Sequence, residues 1–222
     1  MRSIDTDAQF VYNENGLWMK KTVNGVVTDY TLHGKNVVHM TKGNDELHFF
    51  YDAQNRPAIV VYNGVAYAYQ YNLQGDIVAL LNGAGNVVVS YAYDAWGAPI
   101  GKSGSMAETL GTVQPFRYRG YVFDEETGLY YLRSRYYNAE RCRFVNGDKQ
   151  IGCGKNIIEK NINAYCNNNP ANFVDYNGAQ PGDVFLTPDE AAIDFAECYN
   201  ALSISKTSNI QRQFIRRQRQ SI

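Results

Sequence analysis

Residues 115–137 read Pro115-Phe116-Arg117-Tyr118-Arg119-Gly120-Tyr121-Val122-Phe123-Asp124-Glu125-Glu126-Thr127-Gly128-Leu129-Tyr130-Tyr131-Leu132-Arg133-Ser134-Arg135-Tyr136-Tyr137, and the run closes on Arg143-Phe144. Asp124 to Gly128 is a polar turn ending on a glycine free to take positive φ. It lies between Tyr118/Tyr121/Phe123 and Leu129/Tyr130/Tyr131/Leu132, both rich in strand-favouring aromatics. The segment predicts a β-hairpin. Arg117, Arg119, Arg133 and Arg135 fall on alternate positions, giving each arm one cationic and one aromatic face. Two readings of the arginines stay open: a solvated basic face, or pairing with carboxylates and tyrosine rings inside a wet shell.

Upstream, a tyrosine followed by a small polar residue recurs at Tyr12-Asn13, Tyr30-Thr31, Tyr51-Asp52, Tyr71-Asn72 and Tyr93-Asp94. A period of about twenty residues marks a repeat array in which each unit packs on its neighbours, and it suits one hairpin per unit. Asn24-Gly25 and Asn63-Gly64 stand between apolar arms, the strongest short-range hairpin signal, because both turn positions need positive φ. Asn82-Gly83-Ala84-Gly85 is a looser version. Val87, Val89, Tyr91 and Tyr93 are expected on one strand face and Val88, Ser90, Ala92 and Asp94 on the other; Tyr67, Tyr69 and Tyr71 likewise oppose Ala66, Ala68 and Gln70. One side of the sheet should therefore be wet. Gly97 to Gly111 reads as a loop that breaks the period.

With 21 basic and 22 acidic residues in 222, the chain offers no global electrostatic case for a nucleic-acid or membrane partner. Eighteen tyrosines and 19 glycines fit a turn-rich β protein, and no apolar run approaches a membrane span. Met1 to Asp7 has no apolar h-region, so no signal peptide is expected here. Cys142, Cys153, Cys166 and Cys198 lack any C-x-x-C spacing, and free thiols are the expectation. His33, His39 and His48 stand in neither an i, i+4 nor an alternating relation. Spacing thus predicts no metal site and no cofactor.

Pro115 to Tyr137 resembles, almost residue for residue, the signature of the Rhs-repeat-associated core, which closes the YD-repeat shell (teneurin-like) of large secreted bacterial proteins. Arg117, Tyr118, Arg119, Gly120, Asp124, Gly128, Leu129, Tyr130, Tyr131, Arg133, Arg135, Tyr136, Tyr137, Arg143 and Phe144 carry the resemblance. Asn138, Ala139 and Cys142 stand where the family reads Asp, Pro and Gly. The resemblance implies a mainly β fold, a YD-repeat hairpin array forming part of a hollow shell or cocoon, with a short helical C-terminal segment. It implies a shell segment over 1–111, the core over 112–180 and a C-terminal effector remnant over 181–222. The implied function is structural: enclosing and presenting the C-terminal effector of a polymorphic-toxin-like or cell-surface protein. The partners would be that effector and upstream YD repeats, and the parent would be longer, and secreted or displayed at the cell surface.

Rhs-type cores are often followed by an aspartic self-protease, and the matching positions here are Asp148 and Asp175, with the cut just beyond Gly178. Two carboxylates held close cannot both ionise, so one keeps a proton while the other activates water. Tyr176 and Ala179 stand where the family has proline and leucine. By their own neighbours, Asp148 and Asp175 read equally well as turn residues. A third function class is a carbohydrate-binding surface, since aromatic and asparagine-rich sheets can take surface glycans.

After Gly182 the character changes. Thr187-Pro188-Asp189-Glu190 is a capping box with proline at the first helical position, and Ala192, Phe195, Ala196 and Tyr199 follow at helical spacing. The segment is similar to the start of domain of unknown function 4329, and the likeness stops at Ile204. A basic tail runs from Ser205 to Ile222.

Overall fold

The computed structural model describes residues 8–14, 17–147, 161–175, 178 and 182–183. The expected helix after Thr187, the likeness ending at Ile204 and Asp148 all lie outside the described residues. The chain divides into two compact units, Met1–Gly182 and Asp183–Ile222.

Ten strands form one antiparallel meander in sequence order: β1 (Ala8–Tyr12), β2 (Trp18–Val23), β3 (Val26–His33), β4 (Asn36–Lys42), β5 (Asp45–Tyr51), β6 (Pro57–Tyr62), β7 (Val65–Tyr71), β8 (Ile77–Leu81), β9 (Val87–Tyr93) and β10 (Pro99–Ser103). A one-turn helix α1 (Leu110–Val113) follows. A second sheet then forms from β11 (Val122–Asp124), β12 (Leu129–Tyr131), β13 (Tyr136–Asn138) and β14 (Arg143–Phe144). The mainly β fold and the hairpin across Asp124 to Gly128 are as expected.

The turns explain the repeat. Asp52 Oδ1 accepts the N–H of Gln54 and Arg56 at 2.9 and 2.8 Å, while its own N–H donates to the Arg56 carbonyl. Asn72, Asn82 and Asp94 do the same with the residues two and four further on. The short polar side chain closes the turn onto its own backbone. Asn82 belongs to this set although Leu81, not tyrosine, precedes it. Tyr30-Thr31 does not belong, for both residues lie inside β3. The repeat tyrosines serve a different purpose. Tyr51, Tyr71 and Tyr93 each donate their hydroxyl to a carbonyl of the preceding unit, of Val37 (2.7 Å), Pro57 and Ile77 (3.0 Å) respectively. Each unit is thus stitched to the one before.

Asn24 and Gly25 have φ of 49° and 81°, Asn63 and Gly64 of 47° and 85°, as two-residue hairpin turns demand. Gly64→Val meets no steric obstacle, since nothing lies within 4 Å of the added Cβ. Its cost is backbone strain alone. We expect about 1–2 kcal/mol of destabilisation in urea melts, and an unchanged midpoint would show the turn to be unimportant.

Two expectations need correction. Val87 is exposed and Val88 buried, because the register slips between Leu80 and Leu81 opposite them and turns the start of β9 over. Nor is Gly97 to Gly111 a plain loop: Pro99 to Ser103 is β10, which pairs with β9 across a bulge.

The core lies on one face of the large sheet, where Trp18, Tyr30, Met40, Leu47, Phe49, Val60, Tyr69, Leu80 and Tyr91 meet Leu110, Phe116 and Tyr131. Array and core segment share one apolar interior. The opposite face is wet: Glu46, His48, Ala66, Ala68 and Gln70 are exposed.

Candidate functional site

The junction between array and core segment holds most of the buried polar chemistry. Gln114, fully buried, makes four hydrogen bonds: its amide donates to the Tyr91 hydroxyl (3.0 Å) and the Phe116 carbonyl (2.8 Å), and its oxygen accepts from the Tyr69 hydroxyl and the Phe116 N–H. Every valence of the amide is used, which is what burial of such a group requires. Spacing gives no hint of Gln114, because its partners come from β7, β9 and its own neighbour.

Three of the four arginines are buried, so the pairing reading holds for them and the solvated-face reading does not. The Arg117 guanidinium lies 4.2 Å from the Tyr91 ring centre and donates to the carbonyls of Gly111, Gln114 and Phe116 and to Glu125. Arg119, at φ 54°, reaches the carbonyls of Gln74 and Pro170 (2.6 Å to the latter), with Asp76 beside its Nε and accepting its backbone N–H. Arg133 is half-buried. A lysine pair docks the hairpin turn onto the array: Lys21 contacts Asp124 and Glu126, and Lys42 contacts Glu126 at 2.6 Å. Burial would raise the Glu126 carboxyl, but hydrogen bonds with Asp124, Lys21 and Lys42 hold it below the usual carboxylate range.

Three tyrosines of the core segment grip the last repeat turn. Tyr118, Tyr137 and Tyr130 donate to the consecutive carbonyls of Ala95 (3.0 Å), Trp96 (2.7 Å) and Gly97 (2.7 Å). Gly97, at φ 88°, has the Tyr118 ring where a Cβ would stand, so only glycine fits.

At the far end of the core segment, Arg135 and Asp175 meet. The Arg135 guanidinium stands 3.6 Å from the Phe144 ring centre, and donates to the Ile162 carbonyl (3.2 Å), Asp175 Oδ2 (3.2 Å) and, through Nε, the Gly178 carbonyl. Asp175 is fully buried, and its Oδ1 accepts the Gly178 N–H at 2.8 Å. Its backbone N–H donates to the hydroxyl of Tyr121, which in turn contacts the hydroxyl of Tyr165. Gly178, at φ 70°, is hemmed in by the Leu132 carbonyl and Ser134. One glycine is therefore held between a guanidinium and a carboxylate. Nearby, burial pushes the Cys166 thiol up to about 12; Cys142 and Cys166 are free, as expected.

Solved structures with this architecture include the TcdB2-TccC3-Cdc42 crystal structure, with TM-score 0.61 and 18% identity over 78% of this chain and 9% of that one. A Photorhabdus luminescens Tc holotoxin pore carrying a TccC3 mutation gives TM-score 0.60 at 18% identity, over 84% of this chain and 10% of that one. This is an Rhs-type shell fold. No protein-family model matches the chain. Among curated proteins, the tRNA3(Ser)-specific nuclease WapA of Bacillus spizizenii is 38% identical over 177 residues, and the tRNA nuclease WapA of Bacillus subtilis (strain 168) is 39% identical over 177. Each match takes in 77% of this chain and 7% of the relative, so the Rhs-type segment spans a small part of those proteins. YlbH of Escherichia coli (strain K12) is 31% identical over 128 residues, 57% of this chain and 50% of that protein. No helix among the described residues is long and apolar enough to cross a membrane.

Proposed function

We propose that this chain closes the repeat shell of a secreted or cell-surface, toxin-like Rhs protein and holds the following effector segment for presentation. The observation that carries the reading is the tyrosine grip on residues 95–97: the core segment folds back over the aromatic face of the array and covers it instead of adding another repeat. The relatives support it, since proteins with a matching segment bear nuclease names. What the effector of this chain acts on is a property of that effector and not of the shell. Digestion of the full-length polypeptide with a non-specific protease should spare the residues beyond Gly178 while the shell is folded, and destroy them once urea opens it. Equal digestion in both states would reject the reading.

A second reading, self-cleavage after Gly178, is favoured by the Arg135–Asp175 cluster. The Gly178 carbonyl already lies against a cation, with a carboxylate on the N–H of the same residue. In that reading the Asp175 carboxylate takes a proton from an attacking water, Arg135 stabilises the oxyanion on Gly178, and Asp148 supplies the proton to the departing amine of Ala179. Incubated chain should then yield a mass ending at Gly178, absent in Asp175→Asn and slowed by roughly 10²–10³ in Arg135→Met. A wild-type mass that stays whole for days would dispose of it.

A further inference from the structure

The wet face of the large sheet carries a cluster that the repeat does not need. His39 on β4 and His48 on β5 are directly opposed in the ladder, and their rings stack with centres 4.4 Å apart and planes 26° from parallel. Glu46, two residues before His48 on the same face, places Oε1 3.1 Å from His39 Nε2 and 3.3 Å from His48 Nε2. Its backbone is fixed, since its N–H donates to Asn63 Oδ1 and its carbonyl accepts the Asn63 N–H. One donor atom from each of the three residues lies within 4.8 Å of the others.

We propose that His39, Glu46 and His48 form a binding site for a borderline divalent transition ion of the zinc class. The argument is geometric. Zinc holds imidazole nitrogen and carboxylate oxygen at about 2.0–2.2 Å in a tetrahedron, so two of its donors stand about 3.4 Å apart. Two of the three edges here already have close to that length, and the third closes by a small rotation of partly exposed side chains. The donor set, two imidazoles and one carboxylate, suits zinc, copper or nickel and not magnesium or calcium, which prefer all-oxygen shells. Three protein donors leave at least one position for water. The ion would take the place of the direct contacts between the imidazoles and Glu46, and would clip β4 to β5 from the side opposite the core. Cross-strand pairing builds the site, which is why residue spacing does not show it.

The test uses the whole chain, stripped with chelator and titrated calorimetrically with zinc chloride, with cobalt(II) as a spectroscopic probe. Binding at one site per chain is expected, with visible cobalt absorption of a four-coordinate nitrogen–oxygen site. Loss of groups that merely orient a metal ligand costs roughly 10–100-fold in affinity, so loss of a ligand should cost at least about tenfold in His39→Gln, His48→Gln and Glu46→Gln, and the double histidine variant should show no site. His33→Gln, at the far end of β3, should bind as wild type. None of these positions lies in the apolar core, and unchanged far-UV circular dichroism of the apo forms checks that the fold persists; Glu46→Gln, which keeps the shape of the cluster, is the variant least able to disturb it. Zinc binding that survives the double histidine variant would assign it to the cysteines and overturn the proposal, as would a wild-type chain giving no heat and no cobalt band. In either case the trio is a hydrogen-bonded surface cluster and nothing more.

Discussion

Raising the pH beyond 10 should unfold this chain abruptly, with tyrosine ionisation and loss of secondary structure occurring as one event. Burial, the leading cause in each case, pushes up the hydroxyls of Tyr30, Tyr51, Tyr62, Tyr69, Tyr71, Tyr91, Tyr93, Tyr118, Tyr121, Tyr130, Tyr131, Tyr136, Tyr137 and Tyr165. Tyr62 and Tyr131 are raised to about 12. The sign follows from linkage. A group whose folded pKa is raised contributes stability that is complete below its unfolded pKa, near 10 for tyrosine, and that is lost as pH climbs towards the folded value. Each tyrosine protonated in the native chain and ionised in the unfolded one removes about 1.4 kcal/mol per pH unit. With about ten such groups the loss is on the order of 10 kcal/mol per unit, enough to consume a typical domain stability of about 5–15 kcal/mol within one or two units. Absorbance at the tyrosinate band and far-UV circular dichroism should therefore change together and steeply. A broad, gradual tyrosinate curve with the dichroism intact would contradict the burial described above.

The second large effect is expected at Arg117. Arg117→Ala strips donors from the buried carbonyls of Gly111, Gln114 and Phe116, leaves Glu125 without its cation, and removes the group stacked on Tyr91. Breaking a buried charged network of this kind costs about 3–5 kcal/mol. Arg117→Lys should recover little, because one ammonium cannot reproduce a planar fork reaching several carbonyls at once. Arg133→Ala, by contrast, changes a half-buried side chain and should cost about 1 kcal/mol or less. Chemical denaturation of the three variants measures the ranking directly. Comparable losses at Arg117 and Arg133 would mean that the junction is not where the stability resides.

That ranking also shows which parts of the structure are legible in the chain itself. Asn24-Gly25, Asn63-Gly64 and the Asp124–Gly128 hairpin can be read because each is settled by neighbours in sequence and by the φ values that only a few residues accept. Arg119 and Arg135 cannot be told from the half-buried Arg133 because their partners are remote. Arg119 meets the carbonyl of Pro170 and Arg135 that of Gly178, and a carbonyl leaves no mark in a sequence. Val87 and Val88 take the faces opposite to those expected because Val88 is the extra residue of a bulge in β9, which shows only in the pairing with β8. His39 and His48 are an intermediate case. Lys42 pairs with Asp45 across Gly43-Asn44, and that turn alone brings the two histidines opposite one another. Once the turn is known, the pairing follows by counting outward. At the candidate cleavage site, Asp175 can be singled out from the sequence, whereas Arg135's hold on Gly178 cannot.

The grip of Tyr118, Tyr130 and Tyr137 on the last turn has a consequence for how freely that turn can vary. Their hydroxyls meet the carbonyl oxygens of Ala95, Trp96 and Gly97, atoms that every residue type presents. Of that turn's side chains, the grip itself constrains only Gly97, where a Cβ would collide with Tyr118. A bond to main chain is indifferent to which side chain that position carries. At these three bonds the last turn can change its other side chains and still be held, whereas elsewhere the lid also depends on array side chains such as Lys21, Lys42 and Asp76.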